Sequence, residues 1–214
     1  MPTKETLIQE LISAGYLKTP RIIEAFRAID RADFVLPEYA REAYGNYPLP
    51  IGYDQTISQP LTVAFMLELL DPRPGEKILD VGAGSGWQTA LLTHIVGSDP
   101  TIACSSVTAV ERIKALCDFA KNNLEKYGFI KSGRVKFYCL DATANIPAGP
   151  YDKIIAAATA SKDIPQSWRD QLKIGGKIVA PVGGSIWLFI KKSETEWDEK
   201  EFPGFAFVPL ISQN

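Results

Sequence analysis

The chain has 214 residues, of which 46% are hydrophobic and 22% charged, and its 23 Lys and Arg against 25 Asp and Glu give a formal net charge of −2. This balance excludes disordered and fibrous classes, and a chain of this length buries a full core without disulfides or a structural metal. It also lacks the basic excess expected of a nucleic-acid binder.

In chain order, Thr3-Lys4-Glu5-Thr6 opens a helix whose Leu7, Ile8, Leu11 and Ile12 recur at helical spacing, and Gly15 ends it. Thr19 is expected to cap a second helix that starts at Pro20 and carries Ile22, Ile23, Ala25, Phe26 and Ile29. From Phe34 to Pro60 the period is lost, and Tyr44, Tyr47, Pro48, Pro50, Gly52 and Tyr53 predict an irregular aromatic segment. A third helix follows over Val63, Ala64, Met66, Leu67, Leu69 and Leu70, stopped by Pro72 and Pro74.

Beyond Gly75 the rhythm becomes strand–helix. Lys77–Val81 reads as a strand running into Gly82-Ala83-Gly84-Ser85-Gly86, and Thr89–Val96 as a helix. The next strand, Val107–Val110, ends at Glu111; Ile113–Tyr127 is an amphipathic helix, and Arg134–Cys139 is a strand ending at Leu140-Asp141. Tyr151-Asp152-Lys153 leads into the buried strand Ile154–Ala158, Pro165–Leu172 is a helix, and Gly175-Gly176 turns the chain into the strand Lys177–Pro181. Ile186–Ile190 and Phe205–Val208 are the last two strands, joined by an acidic loop from Glu194 to Glu201, with no helix between them. The expected fold is α/β: a mostly parallel Rossmann-like sheet with a C-terminal antiparallel hairpin and an N-terminal helical extension. It reads as a single domain, 1–214, with 1–73 as helical and lid segment and 74–214 as core; Gly97 to Ser106 reads as a surface insertion.

Chemistry-bearing residues gather at strand ends, where open α/β sheets bind ligands: Asp80, Gly82, Gly84 and Gly86 at the first, Glu111 at the second, Asp141 at the third. A dinucleotide fingerprint needs Gly at 87, where Trp87 stands. The loop suits S-adenosylmethionine, which carries no phosphate. Glu111 has two acceptor oxygens for the ribose hydroxyls, Asp141 an acceptor for the adenine amino group, and Asp80 reads as near the methionine end or as an organiser of the loop.

Outside the loop, Tyr47-Pro48-Leu49-Pro50-Ile51-Gly52-Tyr53-Asp54-Gln55-Thr56-Ile57-Ser58-Gln59-Pro60 resembles the PLPIGxGQTISQP signature of the protein-L-isoaspartate (D-aspartate) O-methyltransferases. The resemblance continues through Leu79–Gly86, Val110-Glu111-Arg112, Pro150-Tyr151-Asp152, Gln171–Gly176 and Pro181-Val182-Gly183, and closes on Phe207-Val208-Pro209-Leu210. It implies a class I S-adenosylmethionine-dependent methyltransferase that esterifies the α-carboxylate of L-isoaspartyl residues in damaged proteins. The ester closes to a succinimide and reopens partly to aspartate. Ser58 is then the active-site hydroxyl, with Gln55, Thr56, Ile57, Asp80, Gly82, Ala83, Gly84, Ser85, Gly86, Glu111 and Asp141 at the cofactor and no metal. Isoaspartyl peptides and proteins are the implied partners, without nucleic acid or membrane, in a cytoplasmic enzyme for which a monomer is favoured. A carboxylate acceptor is ionised at neutral pH, so the transfer needs no general base.

The chain departs from the family pattern at Asp54 and Ala142, each where Gly is usual, and over residues 156–165. Asp54 is expected to add negative charge beside the acceptor. A related methyltransferase with another acceptor and a binding module without turnover are the rival readings. A nicotinamide-dependent oxidoreductase loses on Trp87. Cys104, Cys117 and Cys139 form no CxxC and read as reduced thiols, with His94 as a surface or packing residue. The other reading of Ser58 is an N-cap for the helix at Gln59-Pro60. Trp197, Phe202 and Phe205 are assigned to C-terminal packing.

Overall fold

A computed structural model describes residues 2–99, 101, 106–160 and 162–210. Three helices lead the chain: α1 (Lys4–Ser13), α2 (Pro20–Ala28) and, after two short 3₁₀ turns and a hairpin, α3 (Pro60–Leu70). Thr3 and Thr6 cap α1 reciprocally, each hydroxyl accepting from the other's main-chain N–H. Thr19 precedes α2 as expected, yet its side chain makes no cap bond there. Glu68 of α3 takes that hydroxyl at 2.7 Å and the N–H groups of Lys18 and Thr19 at 2.8 Å. A charged acceptor from a neighbouring helix outcompetes the local cap.

The stretch expected to be irregular holds order that its sequence hides. Arg31–Phe34 and Pro37–Glu42 are 3₁₀ turns, and β1 (Leu49–Gly52) pairs antiparallel with β2 (Gln55–Ile57). The turn residues Tyr53 and Asp54 both adopt left-handed backbone, with φ of 56° and 55°. Two-residue hairpins demand this conformation and usually meet it with Asn-Gly; a Tyr-Asp turn gives no such signal.

The main sheet has seven strands: β3 (Lys77–Val81), β4 (Ser106–Glu111), β5 (Val135–Cys139), β6 (Tyr151–Ala156), β7 (Leu172–Val182), β8 (Ser185–Lys191) and β9 (Trp197–Pro203), in the order β5-β4-β3-β6-β7-β8-β9. Strands β5 through β7 run parallel, and β8 and β9 are antiparallel additions. Helices α4 (Trp87–Val96), α5 (Lys114–Glu125) and the short α6 (Gln166–Asp170) connect them. The period of two along each strand divides the core. Ile78, Val107, Ala109 and Ile155 share one cluster with α1 to α5, while Leu79, Val81, Val110 and Ile154 face Trp168 and Tyr151 on the other side.

Two expectations about the C-terminus are corrected. The last strand is β9, which occupies the acidic stretch taken for a loop, and Phe205–Val208 is not a strand. Asp198, Glu199, Lys200 and Glu201 are exposed along this edge; charges suit an unpaired edge because they oppose further strand addition. Strand β7 also begins earlier, running through Gly175-Gly176 with a register shift opposite Tyr151/Lys153. Phe202 and Phe205 pack on Phe65, each with centroids 5.3 Å apart, and Arg169 lies 4.9 Å over the Trp197 ring.

The reduced-thiol expectation also fails: Cys117 on α5 and Cys139 at the end of β5 form a disulfide across a sequence separation of 22. Parallel pairing sets Cys139 opposite Glu111, six residues before Cys117, and that proximity was hidden in the linear spacing. Cys104 and much of the Gly97–Ser106 connection lie outside the described residues. Among the described residues no helix is long and apolar enough to cross a membrane, and no group of His, Cys, Asp and Glu could hold a metal ion. His94 sits in the last turn of α4, 3.6 Å from Glu24.

Candidate active site

The carboxyl ends of β3, β4 and β6 open into three adjoining clefts. The inner one is lined by Gln55, Thr56, Gly82, Gly84, Glu111 and Asp141, with Arg112, Ala157 and Val208–Leu210 completing its wall, and encloses ≈ 660 Å³ including its mouth. A smaller hollow beside it is lined by Thr56, Ile57, Ser58, Gly82, Ala83, Gly84, Ser85 and Trp87. An outer groove is lined by Pro48, Thr56, Ser58, Gln59, Thr62 and Gly204–Val208. Thr56 and Ala157 border all three, and Ser58 stands where the hollow meets the groove.

The glycine loop has this shape because β3 must turn sharply into α4. Gly82 and Ala83 donate to the Val110 carbonyl at 2.9 and 3.1 Å, and Gly86 donates to Ala83 at 2.8 Å. Gly86, at φ 88°, precedes α4 so closely against α5 that a Cβ there would lie 3.3 Å from both Ala120 Cβ and Leu124 Cγ. Gly84, at φ 55°, faces Ile51 of β1, whose Cδ1 would meet a Cβ at 3.3 Å. The hairpin is therefore seated on the loop itself.

Glu111 is buried and fixed by main-chain donors: Arg112 and Ile113 donate to Oε1 at 2.7 and 2.8 Å, and Gly84 donates to Oε2 at 3.0 Å. Its carboxylate thus links the glycine loop to the start of α5 while lining the inner cleft. Asp141 accepts from the N–H and hydroxyl of Thr143 at 2.8 and 2.7 Å, which holds the turn that forms the opposite wall. Ala142 behind it has ordinary backbone, not the positive φ for which Gly would be required. Its carbonyl accepts from the buried Trp168 indole at 3.0 Å.

Asp80 lies behind the loop, outside the cleft walls. Alternation along β3 turns it toward α4, where it is fully buried and accepts from Gln88 at 2.7 Å and Thr89 at 2.6 Å. This is the organiser's position. Burial raises its carboxyl to about 6, helped by the nearby Glu111 charge and opposed by the bonds from Thr89 and Gln88. An unfolded aspartate titrates near ~3.9, so the folded state holds the proton more tightly. The stability this contributes is complete below pH ~4 and lost as pH rises through 6, on the order of 3 kcal/mol. Asp80→Asn is expected to flatten the pH 4–6 slope of unfolding free energy measured by urea titration. An unchanged slope would assign it to other groups.

Ser58 does not cap α3. That role falls to Asn46, whose Oδ1 accepts from Leu61 N–H at 3.0 Å and whose carbonyl accepts from Gln59 Nε2 at 2.9 Å. Ser58 instead lines both the smaller hollow and the outer groove. Asp54 is exposed at the hairpin tip and lines none of the three clefts, so the charge expected beside the acceptor points elsewhere. What the sequence reading missed is the C-terminal wall. Val208 accepts from Thr159 N–H at 2.9 Å and Leu210 donates to the Thr159 carbonyl at 2.8 Å, stitching the Phe207–Leu210 stretch beside the end of β6. Its only signal was the matching of those four residues to the family pattern.

Comparison with known proteins agrees with this geometry. A family model described as protein-L-isoaspartate(D-aspartate) O-methyltransferase matches residues 2–214. Proteins named protein-L-isoaspartate O-methyltransferase from Methanopyrus kandleri and Methanospirillum hungatei are 44% and 40% identical, covering 98% and 97% of this chain and 92% and 93% of theirs. A Plasmodium falciparum structure titled as a protein-L-isoaspartate O-methyltransferase in complex with S-adenosyl-L-homocysteine shares the fold at TM-score 0.88, with 22% identity and 99% of both chains covered. Another structure titled protein-L-isoaspartate O-methyltransferase gives TM-score 0.84 at 26% identity, over 97% of this chain and 65% of that one. On a family match spanning nearly every residue and relatives above the level at which identity is ambiguous, the chain belongs to the protein-L-isoaspartate(D-aspartate) O-methyltransferase family.

Proposed function

We propose that the enzyme transfers a methyl group from S-adenosylmethionine to the α-carboxylate of L-isoaspartyl residues, with the cofactor in the inner cleft and the acceptor in the outer groove. The observation that supports this reading is the position of Ser58, where the hollow adjoining the inner cleft meets a groove open to a peptide. The cleft suits that cofactor: Gly82 and Gly84 present bare backbone to it, Glu111 and Asp141 supply acidic acceptors, and most of the remaining lining is apolar. When bound, the cofactor supplies an electrophilic methyl group on a sulfonium.

Glu111 and Asp141 would hold the ribose and adenine, and Gly82–Gly86 with Gln55, Thr56 and Ile57 would enclose the remainder. Ser58 would donate a hydrogen bond to the acceptor carboxylate and so aim its nucleophilic oxygen. The carboxylate loses charge as it attacks, so this bond acts by orientation rather than by favouring developing charge. Phe205, Phe207 and Val208 would keep water from the junction. Isoaspartyl-bearing peptides and proteins are then the partners, and the cytoplasm the setting.

The test is a pair of synthetic peptides identical except for one isoaspartyl or aspartyl residue, incubated with labelled cofactor. Base-labile methyl ester is expected on the isoaspartyl peptide alone. Equal labelling of both would refute the specificity, and cofactor binding without product would reduce the chain to a recognition module.

A further inference from the structure

Arg31 occupies an unusual place for a cation. It is 2% exposed, and no carboxylate among the described residues pairs with it. Its guanidinium instead donates to four main-chain carbonyls: Nη1 to Ala43 at 2.8 Å and Gly45 at 3.3 Å, Nη2 to Tyr47 at 3.1 Å and Ser58 at 3.2 Å. Burial lowers its pKa to about 10, so it stays charged at neutral pH. A buried charge without a counter-ion is retained only at a cost that its hydrogen bonds must offset.

All four carbonyls belong to the segment that carries Ser58. Tyr47 stands just before β1 and Ser58 just after β2, so one planar group holds both ends of the hairpin at its base. The other side of the guanidinium lies 5.3 Å from the Trp87 ring, in the residue that follows the glycine loop. Phe26 meets that ring edge-on, with centroids 5.6 Å apart. Arg31 thus contacts the first residue of α4 and the main chain of Ser58 at once. A fork of fixed geometry can bridge those partners, and an ammonium cannot.

We propose that Arg31 is a positioning residue for methyl transfer: its guanidinium clamps the base of the β1–β2 hairpin against Trp87 and thereby sets where Ser58 meets the acceptor carboxylate. The proposal rests on the isoaspartyl methyltransferase reading of that site. It does not make Arg31 a ligand of cofactor or substrate, since Arg31 borders none of the three clefts.

The experiment compares wild type with Arg31→Met, Arg31→Lys and Arg31→Ala. Arg31→Met is expected to lower kcat on the isoaspartyl peptide at least 30-fold while the Kd for S-adenosylhomocysteine stays within threefold. Amide hydrogen exchange is expected to speed at least tenfold over residues 47–58 and to be unchanged in β3 and β4. Arg31→Lys should recover less than a tenth of the lost kcat, and millimolar methylguanidinium should restore part of it in Arg31→Ala. A kcat within threefold of wild type in folded Arg31→Met would overturn the proposal. So would faster exchange spread equally over β3 and β4, which marks a general packing role. If Arg31→Met does not fold, Arg31→Lys carries the same comparison. Failure of wild type on the isoaspartyl peptide would sink the assigned reaction instead, and the exchange measurement would still read the clamp.

Discussion

Glu111→Ala is expected to weaken S-adenosylhomocysteine binding about 100-fold in calorimetric titration. A charge-assisted hydrogen bond is worth about 1.5–3 kcal/mol, and in the proposed site the substitution would remove at least one to the ribose. It also releases the Gly84, Arg112 and Ile113 N–H groups that the carboxylate gathers, so the loop loses its tie to α5. Glu111→Gln is the more discriminating variant. An amide keeps one acceptor oxygen, and its NH2 must then face either the Gly84 N–H or the Arg112–Ile113 pair, donor against donor. Glu111→Gln should therefore bind cofactor nearly as poorly as Glu111→Ala, despite its matching size. A Kd within threefold of wild type for both variants would show that the ribose lies elsewhere.

The same residue illustrates how far the sequence could be read. Glu111, Asp141 and the glycines were legible as cleft-lining residues because short apolar strands of a parallel sheet end in a line along the ligand side. Asp80 met the same criterion and was turned away from the cleft by strand alternation toward Gln88 and Thr89. Period-two counting from the buried Ile78 would have given that direction. The β1–β2 hairpin was not legible, since its Tyr53-Asp54 turn carries neither Gly nor Asn, and β9 was not because its charges mimic a loop. Long-range pairings lay further out of reach. The bond from Arg31 to Ser58 spans 27 residues, and the Asn46 cap of α3 spans 15, with no local pattern announcing either. The residues that line the cleft at the strand ends were legible, and what holds Ser58 in place was not.

Ser58→Ala is expected to lower kcat on an isoaspartyl peptide by about 10- to 100-fold, the scale on which loss of orientation slows a positioned reaction. Cofactor affinity should change less than threefold, because Ser58 does not border the inner cleft proposed for the ribose and adenine. Three roles predict different outcomes. A helix cap would cost about 1 kcal/mol of stability and leave kcat alone, and Asn46 already occupies that role. A covalent nucleophile would lose nearly all activity and would need a base to activate it. The single histidine, His94, sits in the last turn of α4, roughly 10 Å along the helix axis from the glycine loop at its start. An orienting donor loses part of kcat and leaves the pH profile flat from 6 to 9, because the acceptor carboxylate is ionised throughout. The pH profile therefore separates the last two roles even if their kcat losses overlap. A bell appearing or vanishing with Ser58→Ala would place proton transfer at this hydroxyl and refute the orienting role.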